Sequence, residues 1–420
     1  MHTLRRITVV FAVAAASVAT TAGAATALPT TEVAQHAAED GRKLTRIDTD
    51  AAGNPESAGG EIRFAGLSGN GRYALFAVRT NSNMVPEPHR APTPTGEYLV
   101  RKDTRTGATL LVSVTPDGRP LRLSPYWHHV AIGLDGTTFA YTAPLGDSSS
   151  SDIALYHHDL ASGVRQIATV PPRWSIESIS MSADGRWLTW VSRSEWNGRW
   201  AGDRIHRHDL VSGGTKVLLQ CEDLFHGCYW HPGVSASDDG TKLVFRYQAK
   251  PQDPALVTLL DTTTGELRTP SGAQSGSSYQ LSGDGKWLFF TQSGDSDRFE
   301  LKKVATTPGA TPVSLGRWDK KATMHVSVNS VSRTGNLVGL MVMNSNGDDP
   351  YFRSPRTHIL DQSTGGTSFL PDPRPGRTLP SFPTISRDGQ VVVVQERCLR
   401  SLNCGLHTGW YSSPLHDARP

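Results

Sequence analysis

Short runs of alternating large apolar and polar residues fill most of the chain, cut at intervals by tight-turn dipeptides. In each run a small-to-apolar strand ends in Ser or a relative. A turn centred on Asp-Gly follows, and a second strand then carries alternating large apolar residues. The runs are LSGNGRYALF (67–76), IGLDGTTFAY (132–141), MSADGRWLTW (181–190), ASDDGTKLVF (236–245), LSGDGKWLFF (281–290), VSRTGNLVGL (331–340) and ISRDGQVVVV (385–394). Asp-Gly between two strand-like runs is a hairpin signal, because Gly supplies positive φ and Asp or Asn tolerates it. A second motif follows most copies: an alternating strand ending in Asp-x-x-(Ser/Thr)-Gly, as in LVRKDTRTG (99–107), LYHHDLASG (155–163), IHRHDLVSG (205–213) and VTLLDTTTG (257–265). Each unit is therefore four strands, a to d, with hairpins at a–b and c–d.

Seven four-stranded units of roughly fifty residues predict an all-β fold, a seven-bladed β-propeller. The seventh unit has strand a, strand b (391–397) and a third strand near 405–412, but no strand d. The segment TRIDTDAAGNP (45–55) aligns without gaps with LLVSVTPDGRP (110–120), which is strand d of the first unit and its exit turn. The N-terminal segment is thus expected to supply the missing outer strand of the last blade. Hiding the first and last edges in this way removes an open template for aggregation. The repeat, S-x-D-G-(R/K)-x-(L/V)-x-(F/W/Y) in its fullest copies, resembles the TolB-like propeller repeat over about residues 44–412. That resemblance implies the fold and leaves the activity open, since propellers host unrelated functions.

Composition fits the pattern, with 40 Gly and 27 Pro against 6 Met. The net charge of +3 argues against a nucleic-acid-binding surface, which needs a clear basic excess. Residues 1–27 read as a signal peptide: Arg5 and Arg6, an apolar run from Ile7 to Ala19, and an A-x-A-type site at Ala25-Thr26-Ala27, with Ala22-Gly23-Ala24 as the alternative. The general secretory route fits the flanks of the Arg pair better than the twin-arginine route. Residues 28–43 then form a flexible linker and residues 44–420 a single propeller domain. No later apolar stretch reaches the length of a membrane span. The protein is expected to be secreted and monomeric. Four Cys allow three pairings; Cys221 with Cys228 and Cys398 with Cys404 each close a short loop, as disulfides suited to an exported chain. A zinc site is the weaker alternative, because neither pair has C-x-x-C spacing.

Topology sends the short a–b and c–d turns to one face and the longer b–c and d–a connections to the other. The second set includes residues 79–97, 121–129, 193–203, 221–231, 317–325 and 344–356, and it gathers aromatics such as Trp127, Trp174, Trp196, Trp200, Tyr229, Trp230 and Trp318. Aromatics interleaved with charges suit a sugar or peptide surface, and packing between blades is the competing reading. Trp187 and Trp287, on b strands, are expected to pack between blades. The ligand-binding candidates are Trp127, His128, Trp196, Trp200, Tyr229, Trp230 and His231. His128, His231 and His325 recur near strand a of blades two, four and six and would converge on the channel mouth, where three imidazoles can hold a divalent metal. No pair of them has a metal-motif spacing, so three unrelated rim residues are the plainer reading. His157, His158, His206 and His208, on c strands, are expected at the surface. No nucleophile elbow, zincin motif or phosphate-binding loop is present, and no residue is named as catalytic. The expected role is non-catalytic binding of a protein or glycan at the loop-rich face, without a cofactor. The alternative is a metal-dependent polysaccharide lyase or hydrolase with its site at the channel mouth.

Overall fold

The computed structural model describes residues 43–57, 62–123, 129–145, 152–170, 174–196, 199–221, 233–247, 254, 256–270, 278–293, 297–320, 323–345, 353–371, 373, 378–398 and 409–415. The signal-peptide reading and the partners Cys228 and Cys404 of the expected disulfides lie outside them. The described strands form seven antiparallel sheets of four, each ordered a-b-c-d. Blade 1 is Arg63–Leu67, Tyr73–Arg79, Glu97–Asp103 and Thr109–Leu111; the inner strands of the next five blades are Val130–Ile132, Trp174–Met181, Ser235–Ala236, Tyr279–Leu281 and Thr323–Val331. The inner strands of neighbouring blades lie side by side around the axis. Apolar side chains collect in clusters between successive blades rather than in one central core.

Blade 7 closes the ring as the alignment predicts. Its strands are Thr378–Ile385, Val391–Cys398 and Trp410–Pro414, and the outer place is taken by Thr45–Arg46. The third strand starts a few residues later than expected. The offset of 65 residues between the N-terminal segment and blade 1 holds bond for bond. Thr49 bridges Pro55 as Val114 bridges Pro120. The Ile47 amide donates to Trp410 O at 2.8 Å, as Val112 donates to Leu99 O at 2.8 Å. Gly53 and Gly118 both have positive φ. At the position of Ser113, whose Oγ accepts the Leu99 amide at 2.9 Å, stands Asp48, whose Oδ1 accepts the Trp410 amide at 3.0 Å. Asp48 is fully buried, and burial raises its pKa against the pull of its partner Arg46 at 2.9 Å.

All seven a–b turn glycines have positive φ, and each also meets the preceding blade. The residue two beyond the turn glycine packs on the turn glycine of the next blade: Tyr73 on Gly136, Thr138 on Gly185, Trp187 on Gly240, Lys242 on Gly285, Trp287 on Gly335, Leu337 on Gly389 and Val391 on Gly71. A Cβ on Gly136 would stand 2.3 Å from the Tyr73 ring. At Gly136 glycine is therefore required twice over, for the turn and for the close approach. Trp187 and Trp287 pack between blades as expected, and cations cover their faces: Arg186 and Arg207 at 4.6 and 4.3 Å, and Lys303 at 3.9 Å. A motif serine ties the hairpin in six of the seven blades, Gly133 standing in its place in blade 2. Ser182 Oγ donates to Asp184 at 2.5 Å and accepts the Trp187 amide at 2.8 Å.

Candidate functional site

The two ends of the ring are built differently. At the a–b end, turns of neighbouring blades join through backbone bonds: Gly69 N to Leu134 O (2.8 Å), Ala183 N to Asp238 O (2.6 Å), Asp238 N to Gly283 O (2.7 Å), Asp284 N to Arg333 O (2.8 Å), Arg333 N to Arg387 O (2.7 Å) and Asp388 N to Gly69 O (2.9 Å). Asp238 of blade 4 reaches Arg387 of blade 7 at 3.3 Å and Arg333 of blade 6 at 3.4 Å. Arg387 also donates towards Val331 O and Ala236 O at 3.4 and 3.3 Å. Burial lowers the Arg387 pKa, and Asp238 opposes that shift. Small residues make room for this clasp: a Cβ on Gly283 would stand 2.5 Å from the Asp238 carboxylate. A cross-axis ion pair thus obstructs this end.

The other end carries the b–c and d–a connections. Serines on or beside the inner strands link neighbouring blades by accepting amides of the next blade: Ser235 from Leu281 (3.1 Å) and Ser330 from Ile385 (2.9 Å) close to the a–b turns, and Ser178 from Val234 (3.3 Å) and Ser278 from Val328 (2.7 Å) further from them. Of the expected ligand-binding residues, Trp127, His128, Tyr229, Trp230 and His231 lie outside the described residues. Trp196 and Trp200 do not sit in a loop, as the 193–203 assignment expected. Strands Trp187–Trp196 and Arg199–Asp209 run on as one hairpin, with Trp196 opposite Arg199 and Glu195 opposite Trp200. The physical reason is the Asn197-Gly198 pair between two alternating runs, a two-residue hairpin signal. A charge cluster clamps the root of this hairpin. Arg193 pairs with Asp203 across the strands at 3.0 Å and lies 3.8 Å from Glu177, whose carboxylate accepts from Ser175 at 2.6 Å.

Residues 79–97 form the b–c connection of blade 1 as expected, and its middle is packed: Met84 and Val85 are fully buried with Trp410 and Ile47 in the cluster between blades 7 and 1, and Asn83 donates to Pro55 O at 3.1 Å. Trp318 packs against Phe299, Val326 and Val342, and Trp174 lies under Arg204 at 5.0 Å. His157, His158 and His208 are buried rather than at the surface, because neighbouring blades cover both faces of a c strand. His158 bonds Val112 O of blade 1 at 2.8 Å, and the half-buried His206 stacks on Trp190 at 4.8 Å. Burial lowers the pKa of His157 and His206 to about 4.

His325 lies on the inner strand of blade 6, half-buried, and burial lowers its pKa so that the imidazole is neutral at pH 7. Its expected companions, His128 and His231, fall outside the described residues. Among the described residues no group of three His, Cys, Asp or Glu side chains is placed to hold a metal, and no helix is long and apolar enough to cross a membrane. Sequence reasoning missed the Asp238 clasp, whose partners are 95 and 149 positions away, and the hairpin clamp at Arg193.

No protein-family model and no curated protein matches the chain. Solved structures do. An oligogalacturonate lyase from Vibrio parahaemolyticus is similar with a TM-score of 0.59 and 12% identity, over 91% of this chain and 96% of that one. An oligogalacturonate lyase in complex with manganese gives 0.55 and 13%, over 90% and 96%. The β-propeller domain of the Trilobed protease from Pyrococcus furiosus, described as having an open velcro topology, gives 0.52 and 13%, over 85% and 96%. At these identities the likeness is one of fold: the chain is a seven-bladed β-propeller of four-stranded blades, closed by its N-terminal strand.

Proposed function

We propose that this chain is an exported binding module that takes a protein or glycan at the end of the ring carrying the b–c and d–a connections. The observation that carries this reading is the asymmetry of the two ends. The a–b end is tied by turn-to-turn bonds and obstructed by Asp238 between Arg333 and Arg387. The other end carries the b–c and d–a connections, whose sequence includes Trp127, Tyr229 and Trp230. The clamped hairpin of blade 3 supports the same reading, because a rigid scaffold is what lets a surface segment bind with little ordering cost.

The test is calorimetric titration of the mature protein with oligosaccharides and candidate partner proteins. Joint replacement of Trp127, Trp196, Trp200 and Trp230 by alanine is expected to weaken binding at least tenfold with the fold intact. Unchanged affinity contradicts the proposal. A second reading, a metal-dependent polysaccharide lyase or hydrolase, is favoured by the neutral, half-buried His325 on an inner strand and by the fold shared with two oligogalacturonate lyases. A thermal midpoint that drops with chelator, recovers with one divalent metal, and accompanies activity lost in His231→Ala would replace the binding module with the enzyme.

A further inference from the structure

We infer that Phe382 is a stacking platform for a sugar ring inside the channel. This rests on the binding reading above and narrows its ligand to carbohydrate. Among the described residues Phe382 is the one non-glycine residue in the left-handed region, with φ of 51°. It sits on Thr378–Ile385, the inner strand of blade 7, which has no sheet neighbour on its axial side. Ser381 pairs with Gln395 and Thr384 with Val393, so Phe382 and Pro383 both stand opposite Val394 in a bulge. Bulges re-aim a side chain, and they recur beside functional sites.

The residues flanking Phe382 are fastened and Phe382 is not. Ser381 is fully buried, and its Oγ donates to Gln395 O at 3.1 Å. Pro383 is buried; its carbonyl accepts from Ser330 Oγ at 2.9 Å, and it lies so close to blade 6 that a Cβ on Gly339 would stand 3.2 Å from its ring. Phe382 itself is 39% exposed. Among the described residues it is the one large apolar side chain exposed on an inner strand. A bulky residue held at positive φ costs stability, and here more than a third of its surface stays open to water. Strain at a large apolar residue left this exposed points to function.

The ring's setting selects the ligand class. Phe382 lies five residues before Arg387, so it stands roughly 15 Å along the strand from the clasp. The inner strands on either side carry polar groups: Ser327 bonded to Asn329 at 3.0 Å in blade 6, and Arg63 held by Glu97 at 2.7 Å in blade 1. A single flat apolar face among hydrogen-bonding groups matches a pyranose, which offers an apolar face and a polar edge. A hydrophobic peptide side chain would call for an apolar pocket around the ring.

The experiment compares wild type, Phe382→Gly and Phe382→Trp by thermal unfolding and by calorimetric titration with cellohexaose, chitohexaose, xylohexaose and hexagalacturonate. Phe382→Gly relieves the backbone and is expected to raise the thermal midpoint by about 1–4 °C, while weakening the bound hexasaccharide at least tenfold. Phe382→Trp is expected to keep the affinity within about threefold, since it retains a stacking face. A lower midpoint in Phe382→Gly would make the ring structural and overturn the inference whatever binds. Unchanged affinity in Phe382→Gly overturns it while the loop-face reading stands. Failure of all four sugars to bind wild type overturns the carbohydrate assignment, and capture of a defined protein lost in the four-tryptophan variant would then keep the binding module alone.

Discussion

Buried histidines make the stability of this protein sensitive to mild acid. His157 and His358 are 4% and 7% exposed, and His157 Nε2 and His358 Nδ1 are buried without a hydrogen-bond partner. Burial, helped by Arg165 and Arg356, lowers their pKa values to about 4 and about 3. In the unfolded chain each titrates near 6.5. Between those values the unfolded state binds more protons, so stability present above about pH 6.5 is lost as pH falls towards 4. For His157 alone the loss is about 3 kcal/mol. Urea unfolding at pH 7.0 and 4.5 checks this: the double variant His157→Gln/His358→Gln is expected to shrink the difference between the two pH values by more than 1 kcal/mol. An unchanged difference would place the acid sensitivity elsewhere. His157 was misread from the sequence as a surface residue for a physical reason. Alternation separates inside from outside only where one face of a sheet meets water, and blades cover each other's faces.

Hairpins and closing strand were the most legible elements. Local turn chemistry demands Gly at the seven a–b turns, and those positions also receive the residue two beyond the preceding blade's turn. One local pattern therefore encodes both a hairpin and an inter-blade contact. The N-terminal strand was legible because it repeats blade 1 through the same hydrogen bonds. The long connections were not legible, because each serves a local purpose with no repeat to reveal it. Residues 79–97 seal the joint between blades 7 and 1, and the 193–203 segment extends a hairpin. The bulge at Phe382 has one mark in the sequence, Pro383 within a strand-like run, and Pro383 is seated against blade 6. The closing strand carries a measurable load. Ile47 is 2% exposed and lies among Met84, Val100 and Trp410. Ile47→Ala is expected to cost about 2–4 kcal/mol in urea unfolding, and a loss below about 1 kcal/mol would mean that the last blade holds without its outer strand.

At the scale of the whole molecule, the repeat builds a ring whose ends differ in kind. Shared turn glycines make the a–b end regular, and backbone bonds pass between neighbouring turns. A clasp between blades 4, 6 and 7 then obstructs the axis, although its members are far apart in the chain and share no local pattern. Variation is left to the opposite end, where the b–c and d–a connections differ in length. The direct test is hydrogen–deuterium exchange of the mature protein, free and saturated with whichever hexasaccharide or partner protein gives the largest thermal shift. The account predicts new protection in the connections around 193–203 and 222–232 and in the inner strand 378–385, with the seven a–b turns unchanged. Protection centred on the a–b turns around Asp238 and Arg387 would place the site at the obstructed end and contradict it.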